Sequence, residues 1–559
     1  MNGFAKFDAT LGVSDVYVKT IGELHKRFHL HTTIKILVVV DGGSFGSISL
    51  TEAPSGFGVG RVVRLLRESH IGCTHFEVDT ARRDSSTAGS PNYSSFRFDR
   101  QEAGQPVLNK YHEVWCFGFN PDNNAGPDSN ITHPGALPMG DTELTALTTW
   151  MNDRRGGLLA MGDHDYLGAS MCHRIPRIRS MRRWTNAQGV PPIGGAGNPD
   201  THLRHDTNQP FTAAQLNGTA VISFSNQEDS KPQSIDWVPW ISQQVSIFQV
   251  RQRPHPILCH PVHGPIDVMP DHPHEGWCYE DDEIDLTAPL GVPTLTGSEY
   301  PTVGGNQPRP MIIAHGTTTP NPPFMLAKGP SPKKRFGMIS VYDGHPGNVG
   351  RVATDSTWHH WFDENIQDIE AAGGANWDKI SRYYLNVAKW LAPPSVSDWC
   401  IVFDIITTHF TYLGFQEYSK NASVFDLGQS LHTHLVRHVG PCWVTQWVFD
   451  RLQLVDADFW AWLKDRPFWK NGIPLPGSDP CLSCPPFELI EIAVLGGMVR
   501  ASFPIAEEIK AQVEKQPDHV LKMEPERIVK QQLEGVKIGM KEFRSALAKS
   551  IKQMEPLLR

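Results

Sequence analysis

Residues 156–184 read GGLLAMGDHDYLGASMCHRIPRIRSMRRW, and the fold is decided by how this stretch is read. Two glycines precede a four-residue apolar run, Leu158 to Met161, that stops abruptly at Gly162-Asp163-His164-Asp165. A short apolar run bounded by turn residues fits a strand buried on both faces. Polar side chains delivered at the C-terminal end of such a strand lie where open α/β sheets bind their ligands.

The same pattern recurs on both sides of this stretch. Ile34 to Val40, IKILVVV, is a β-branched run that ends in Asp41-Gly42-Gly43-Ser44. Glu113 to Phe119, EVWCFGF, is another, followed by the turn-rich residues Pro121 to Pro138. Between them come a helix with Val59, Val62, Val63, Leu65 and Leu66 on its apolar side and a second strand over Thr74 to Val78. Leu144, Leu147, Trp150 and Met151 repeat at helical spacing and predict a helix over Thr142 to Asn152, with Asp141 as N-cap. Met311 to His315 and Phe336 to Tyr342 are further strands. Strands alternating with helices, with polar residues at the strand ends, predict an α/β fold: a doubly wound, mostly parallel sheet.

The chain divides into an N-terminal extension, 1–33, the α/β domain, 34–394, and a helical C-terminal domain, 395–559. The α/β domain carries long insertions at about 185–232, rich in Gly, Pro, Asn and Thr, and about 254–330, dense at first in His, Pro and acidic residues. A helix over Asn376 to Leu391 closes it, and Pro393-Pro394 marks the boundary. In the tail, Val529, Leu533, Val536, Met540, Phe543, Leu547, Ile551 and Met554 fall on one helical face. They predict a long amphipathic helix over about 525–556, which either packs on its own domain or forms a seam for homo-oligomer assembly.

At 559 residues the chain needs more than one core. A net charge of −9 lacks the electrostatic footprint of a nucleic-acid binder, so no nucleic-acid partner is expected. No run of about 18 uncharged apolar residues is present, so no membrane span is expected. Nine scattered cysteines fit a reducing compartment, and Met1 to Thr10 lacks a signal pattern; a cytoplasmic location is expected.

Several segments together resemble the ThuA-like branch of the class I glutamine amidotransferase-like fold, a flavodoxin-like arrangement. The ILVVV strand opens the domain. The glycine-pair strand and turn places His164 at the elbow where amidotransferases carry a nucleophilic cysteine. His255-Pro256-Ile257 resembles the HP-[IV] segment, His274-Glu275-Gly276 the His/Glu stretch after it, and Gly350-Arg351-Val352 the late GRV strand that leads to histidine. The resemblance covers roughly 34–365. The elbow here has no cysteine, so glutamine amidotransferase chemistry through a thioester lacks its nucleophile.

Three segments supply candidate chemistry: Asp163-His164-Asp165, Asp271-His272-Pro273-His274-Glu275, and Asp355 with His359 and His360. Histidines and carboxylates converging at one rim suit either general acid–base work or a divalent metal such as zinc. The acid–base reading assigns roles to Asp163, His164, Glu275, Asp355, His359 and His360. The metal reading takes His164, His272, His274 and His359 as ligands. Asp41, Gly42, Gly43 and Ser44 form a loop that can meet a ligand through backbone N–H groups. Arg174, Arg177, Arg179, Arg182 and Arg183 either pair with nearby carboxylates or clamp an anion, in which case Arg179 and Arg182 are the clamp. One CxxC, Cys481 to Cys484, is too little for a zinc site by itself. The expected function is a hydrolase or lyase acting on a small polar substrate, carbohydrate-like by the resemblance. The alternative is a non-catalytic module for a small anionic ligand, with the helical domain mediating assembly.

Overall fold

The computed structural model of the protein describes residues 32–43, 46–52, 58–118, 139–162, 171–172, 174–182, 222–223, 232–246, 249–270, 278–317, 330–331, 335–397, 421–464, 487–515 and 525–554. A nine-stranded sheet organises the first two thirds of the chain. Its strands are β1 (Thr32–Val40), β2 (His70–Ile71), β3 (Thr74–Arg82), β4 (Glu113–Gly118), β5 (Gly157–Gly162), β6 (Asp236–Trp237), β7 (Met311–Thr317), β8 (Arg335–Tyr342) and β9 (Val352–Asp355). Across the sheet they lie in the order β6-β7-β8-β9-β5-β4-β1-β3-β2.

The five strands β3, β1, β4, β5 and β9 pair in parallel. The expectation of a mostly parallel sheet is corrected beyond them, because β9–β8, β8–β7, β7–β6 and β3–β2 pair antiparallel. The sheet is therefore mixed. Loop length gives the reason for one of these pairs: only residues 343–351 join β8 to β9, too few for the crossover of about a dozen residues that a parallel pair requires.

Both faces of the sheet are buried. Val38, Val40, Trp115, Phe117, Leu159 and Ala353 point into one core, and Leu37, Val39, Val114, Cys116, Leu158, Ala160 and Val352 into the other. This period-two split within continuous apolar runs is what a sheet covered on both sides demands. The first core is covered by α1 (Gly60–Glu68), α3 (Asp363–Ala372) and α4 (Gly374–Leu391). The second is covered by α2 (Asp141–Asp153) with the loops around Tyr93–Tyr111 and Met171–Met181. α2 starts one residue earlier than its apolar spacing suggests. Gly140 is its N-cap, and Glu143 reaches back to the Gly140 N–H at 3.2 Å, so Asp141 lies inside the first turn. No α-helix links β3 to β4; a single turn of 3-10 helix, Val107–Lys110, stands there.

Gly156-Gly157 does more than end α2. A Cβ on Gly156 would lie 2.3 Å from the Trp150 ring, and one on Gly157 would lie 2.2 Å from the Leu391 carbonyl oxygen. The pair lets α2 and the end of α4 close onto the start of β5.

The C-terminal unit contains α5 (Val424–His438), α6 (Pro441–Val455), α7 (Ala457–Lys464), α8 (Phe487–Lys515) and α9 (Pro525–Met554). α8 packs along both α5 and α9. The amphipathic seam of α9 is used within the chain: Val536, Met540 and Phe543 are buried, while Leu547 beyond them is exposed. Among the described residues, no helix is long and apolar enough to cross a membrane.

The helical unit shares the first core with the sheet unit, Leu427, Val444 and Trp447 lying in one buried cluster with Ile257, Leu258 and Trp390, and polar contacts cross the joint as well. Arg351, at the start of β9, donates to Asp343 (2.9 and 3.2 Å) and to Asp450 of α6 (3.3 Å). Arg253 donates to Glu491 and Glu488 of α8 at 2.7 and 3.1 Å. Asn386 of α4 donates to the carbonyls of Ile257 and Cys259 and accepts from Trp443 of α6.

Candidate active site

β9 is only four residues long, and its last residue is Asp355, fully buried. The chain then turns through Ser356 to Phe362 before α3 begins at Asp363. That turn is fastened from outside. Asp363 accepts from the Arg61 N–H (2.8 Å) and donates its own N–H to Gly58 (2.7 Å), which ties the start of α3 to the start of α1. The Tyr384 hydroxyl of α4 donates to the His360 carbonyl.

Asp355 is the hub of the turn. Its Oδ2 accepts from His360 Nδ1 at 2.8 Å, Trp361 Nε1 at 3.2 Å and the Tyr383 hydroxyl at 3.4 Å. Its Oδ1 accepts from the Thr357 N–H at 3.3 Å. A carboxylate can only accept here, so His360 Nδ1 carries a proton, and in the neutral ring Nε2 keeps its lone pair. Asn365 Nδ2 lies 3.1 Å from His359 Nδ1; with the amide nitrogen as donor, the neutral His359 ring carries its proton on Nε2, the tautomer opposite to that of His360. His359 also stacks on Trp358, ring centroids 4.0 Å apart, and Trp361 meets Trp115 and Phe117 of β4 edge-on. Burial and the Asp355 charge push the Tyr383 phenol well up, so it stays a donor.

Arg182 reaches the same turn. It is fully buried and donates to the Ser356 carbonyl at 3.0 Å. Cys278 bridges to Arg182 and to Gly337 of β8, and burial pushes its thiol up. Arg179 goes elsewhere: it donates to Glu299 (3.1 and 3.3 Å) and to the Pro289 carbonyl. Arg177 joins it on Glu299, and Arg174 pairs with Asp141 at 2.6 Å. Arg174 and Arg179 therefore serve ion pairs, with Asp141 and Glu299, while the Arg177 and Arg182 guanidinium groups donate to the Glu299 and Ser356 carbonyls; Arg183 lies outside the described residues.

Asp41 is fully buried at the end of β1, and its N–H bonds Phe117 O at 3.4 Å. It shares the α2 face with Val39 and lies beside Cys116, whose Cys172 neighbour approaches the Cys116 carbonyl at 3.9 Å. Asp355 shares the opposite face with Ala353. The sheet itself thus separates Asp41 from Asp355. Gly42 and Gly43 pair antiparallel with Ser47 and Gly46. Asp163, His164, Ser44, His272, His274 and Glu275 lie outside the described residues, as do Cys481 and Cys484. Among the described residues, no group of three or more His, Cys, Asp or Glu side chains is arranged to hold a metal ion.

The two resemblance segments His255-Pro256-Ile257 and Gly350-Arg351-Val352 meet at the other end of β9. His255 caps the short turn Pro256–Leu258 by accepting from the Ile257 N–H at 3.3 Å. Its ring stands edge-on to Trp390, and Arg351 stacks on the same indole at 4.8 Å. Burial and the neighbouring Arg351 hold His255 down to about 3, so it is neutral and structural.

Sequence reading singles out Asp355, His359 and His360 as candidates and passes over Trp361, Asn365 and Tyr383, which the structure places around Asp355 or His359. The last has a signal in hindsight: Tyr383-Tyr384 are two phenols on the buried face of α4, and buried hydroxyls need partners. Glu113 is also missed. It is fully buried at the start of β4, bonded by Trp115 Nε1 at 3.0 Å, and burial pushes its carboxyl well up.

Comparison with known proteins returns no match: no family model, no curated protein and no solved structure is similar to this chain.

Proposed function

We propose that the chain is a hydrolase or lyase acting on a small polar substrate, with His360 as general base and His359 as proton donor. One observation carries the reading: the 2.8 Å bond from His360 Nδ1 to Asp355 at the end of a parallel strand. An Asp that fixes the tautomer of a histidine and stabilises its protonated form is the arrangement base catalysis needs. With the Asn365 amide nitrogen donating to its Nδ1, His359 supplies a proton from Nε2 to a leaving oxygen. Tyr383, Trp361 and Thr357 N–H act as positioning groups through Asp355.

The chain order of the parallel strands across the sheet is second, first, third, fourth, fifth, the order of flavodoxin-like sheets. That order supports the amidotransferase-like reading, and with it a carbohydrate-like substrate, by analogy of fold. In the metal-assisted version His359 with His164, His272 and His274 would hold a divalent ion such as zinc; elemental analysis of purified protein separates the two versions. The second reading, a non-catalytic module for a small anion, draws on Arg182, a fully buried guanidinium at the same turn.

The test is a panel of esters, lactones and glycosides assayed with purified protein. The enzyme reading expects turnover of one class and a loss of about 100-fold or more in His360→Ala, the usual size of an acid–base contribution. No turnover across the panel, or full activity in the variant, overturns it. A rise in melting temperature with carboxylated or phosphorylated metabolites and no turnover points to the binding module instead.

A further inference from the structure

Away from Asp355, two thiols meet where the sheet unit joins the helical unit. Cys259 opens the short strand Cys259–His260, and Cys442 is the second residue of α6. Each is about 1% exposed. The chain enters α6 through Gly440 at φ 101°, and a Cβ there would lie 3.0 Å from Cys259 Sγ. The sulfur therefore rests directly against the helix entrance, a position only glycine leaves open. Cys442, two residues further on in the first turn of α6, is the neighbouring thiol.

Two guanidinium groups face the same sulfur, Arg253 and Arg382. Arg253 is shared with Glu491 and Glu488. Arg382 is fully buried and donates to neutral acceptors, Asn386 Oδ1 at 2.9 Å and the Val439 carbonyl at 3.0 Å. A helix N-terminus, a second thiol and two cations make a setting that favours thiolate. The two sulfurs are not equivalent: these partners lower the Cys259 thiol, while burial raises that of Cys442. Cys116 and Cys172, the other close pair, lack this setting. Burial raises the Cys116 thiol, and Asp41 beside it adds negative charge.

We propose that Cys259 and Cys442 form a peroxide-reactive thiol pair, with Cys259 attacking and Cys442 resolving, whose disulfide ties the sheet unit to the first turn of α6. The Cys259 thiolate attacks one oxygen of a hydroperoxide; an S–O bond forms, the O–O bond breaks, and the departing alkoxide takes a proton to leave as alcohol or water. The Cys442 sulfur then attacks the sulfenic sulfur; the S–S bond forms, the S–O bond breaks, and water leaves with the Cys442 proton. Two thiols lose two electrons and the hydroperoxide gains them. Burial of both sulfurs selects a small oxidant over a tripeptide disulfide.

The intact chain is incubated with hydrogen peroxide near neutral pH, alkylated, digested without reductant and analysed by mass spectrometry. The expected product is a linked pair of peptides holding Cys259 and Cys442, two hydrogens lighter than their sum and released by dithiothreitol. Oxidised glutathione at equal concentration should give roughly tenfold less of it or below. In Cys442→Ser, dimedone should trap a sulfenic acid on Cys259. Absence of the linked peptides at peroxide excess overturns the proposal, and so does a Cys116–Cys172 link formed in preference. The deciding measurement uses the unaltered chain, so a folding defect in the variant does not blunt it.

Discussion

Replacing Asp355 tests the turn at its hub. The carboxylate takes four donors, three on Oδ2 and one on Oδ1, and is fully buried. Asp355→Ala leaves all four facing nothing. Each orphaned buried donor costs about 1–3 kcal/mol, and relaxation limits the total to about 3–5 kcal/mol, as when a buried pair loses one member. Asp355→Asn is different. Its amide oxygen can take the Oδ2 position and keep His360, Trp361 and Tyr383, while its NH2 group then meets the Thr357 N–H donor to donor. Three charge-assisted bonds become neutral ones, weakening each by about 1 kcal/mol, but the desolvation cost of a carboxylate disappears. The net expected loss is about 1–3 kcal/mol. The assay is urea unfolding followed by near-ultraviolet circular dichroism, because Trp361, Trp115, Tyr383 and Tyr384 pack together around this turn. The reasoning requires Ala to cost clearly more than Asn. Equal losses, or no loss in Ala, would refute the hub. If the catalytic reading also holds, Asp355→Asn should lower turnover by far more than its stability loss accounts for, since His360 loses the charge that stabilises its protonated form.

Acid sensitivity follows from two buried histidines. His255 and His260 are each held down to about 3, both chiefly by burial, and each accepts backbone N–H bonds through Nδ1. Their folded values lie below the unfolded value of about 6.5, so unfolding takes up protons, and stability falls as pH drops from about 6.5 toward 3 by about 1.4 kcal/mol per pH unit for each. A His255→Asn, His260→Asn double variant should flatten that slope in pH-dependent urea melts; an unchanged slope counts against it. Glu113 has the opposite sign: its folded value is raised, so its contribution is full below about 4.3 and is lost as pH rises. Glu113→Gln should therefore be more stable than the wild-type chain at pH 8, and a lower melting temperature there would contradict this. In the helical unit, a Cβ on Gly496 would lie 1.7 Å from the Val424 carbonyl oxygen. Gly496→Ala should cost about 2 kcal/mol, overpacking exceeding the gain in helix propensity; a melting temperature at or above that of the wild type would show that α5 and α8 can separate freely.

The strands were legible because their apolar runs are continuous, the signature of a sheet buried on both faces. Ile34 to Val40, Glu113 to Gly118 and Leu158 to Met161 all fall inside strands. The antiparallel half was not, since pairing direction depends on loop length and on which edge a returning strand reaches. Between β8 and β9 it is the nine joining residues that force a hairpin. The third candidate segment, with Asp355 at the end of β9, was picked out through the resemblance, whose GRV segment leads to histidine. Its partners were not, because Tyr383 lies 28 residues on in a helix whose apolar spacing hides a hydrogen-bonding role. Asp41 had the same strand-end signal as Asp355, yet side-chain parity sends the two to opposite faces, and parity between distant strands requires the register.

β9 has one further consequence. Arg351 at its start is gripped by Asp450 of α6, and Asp355 at its end holds His360. Four residue steps of extended chain span only about 13 Å. The strand is therefore a short, stiff strut with the helical unit clasped at one end and the histidine pair at the other. The helical unit's anchorage and the histidine pair's anchorage therefore lie on one strand, with no loop between them.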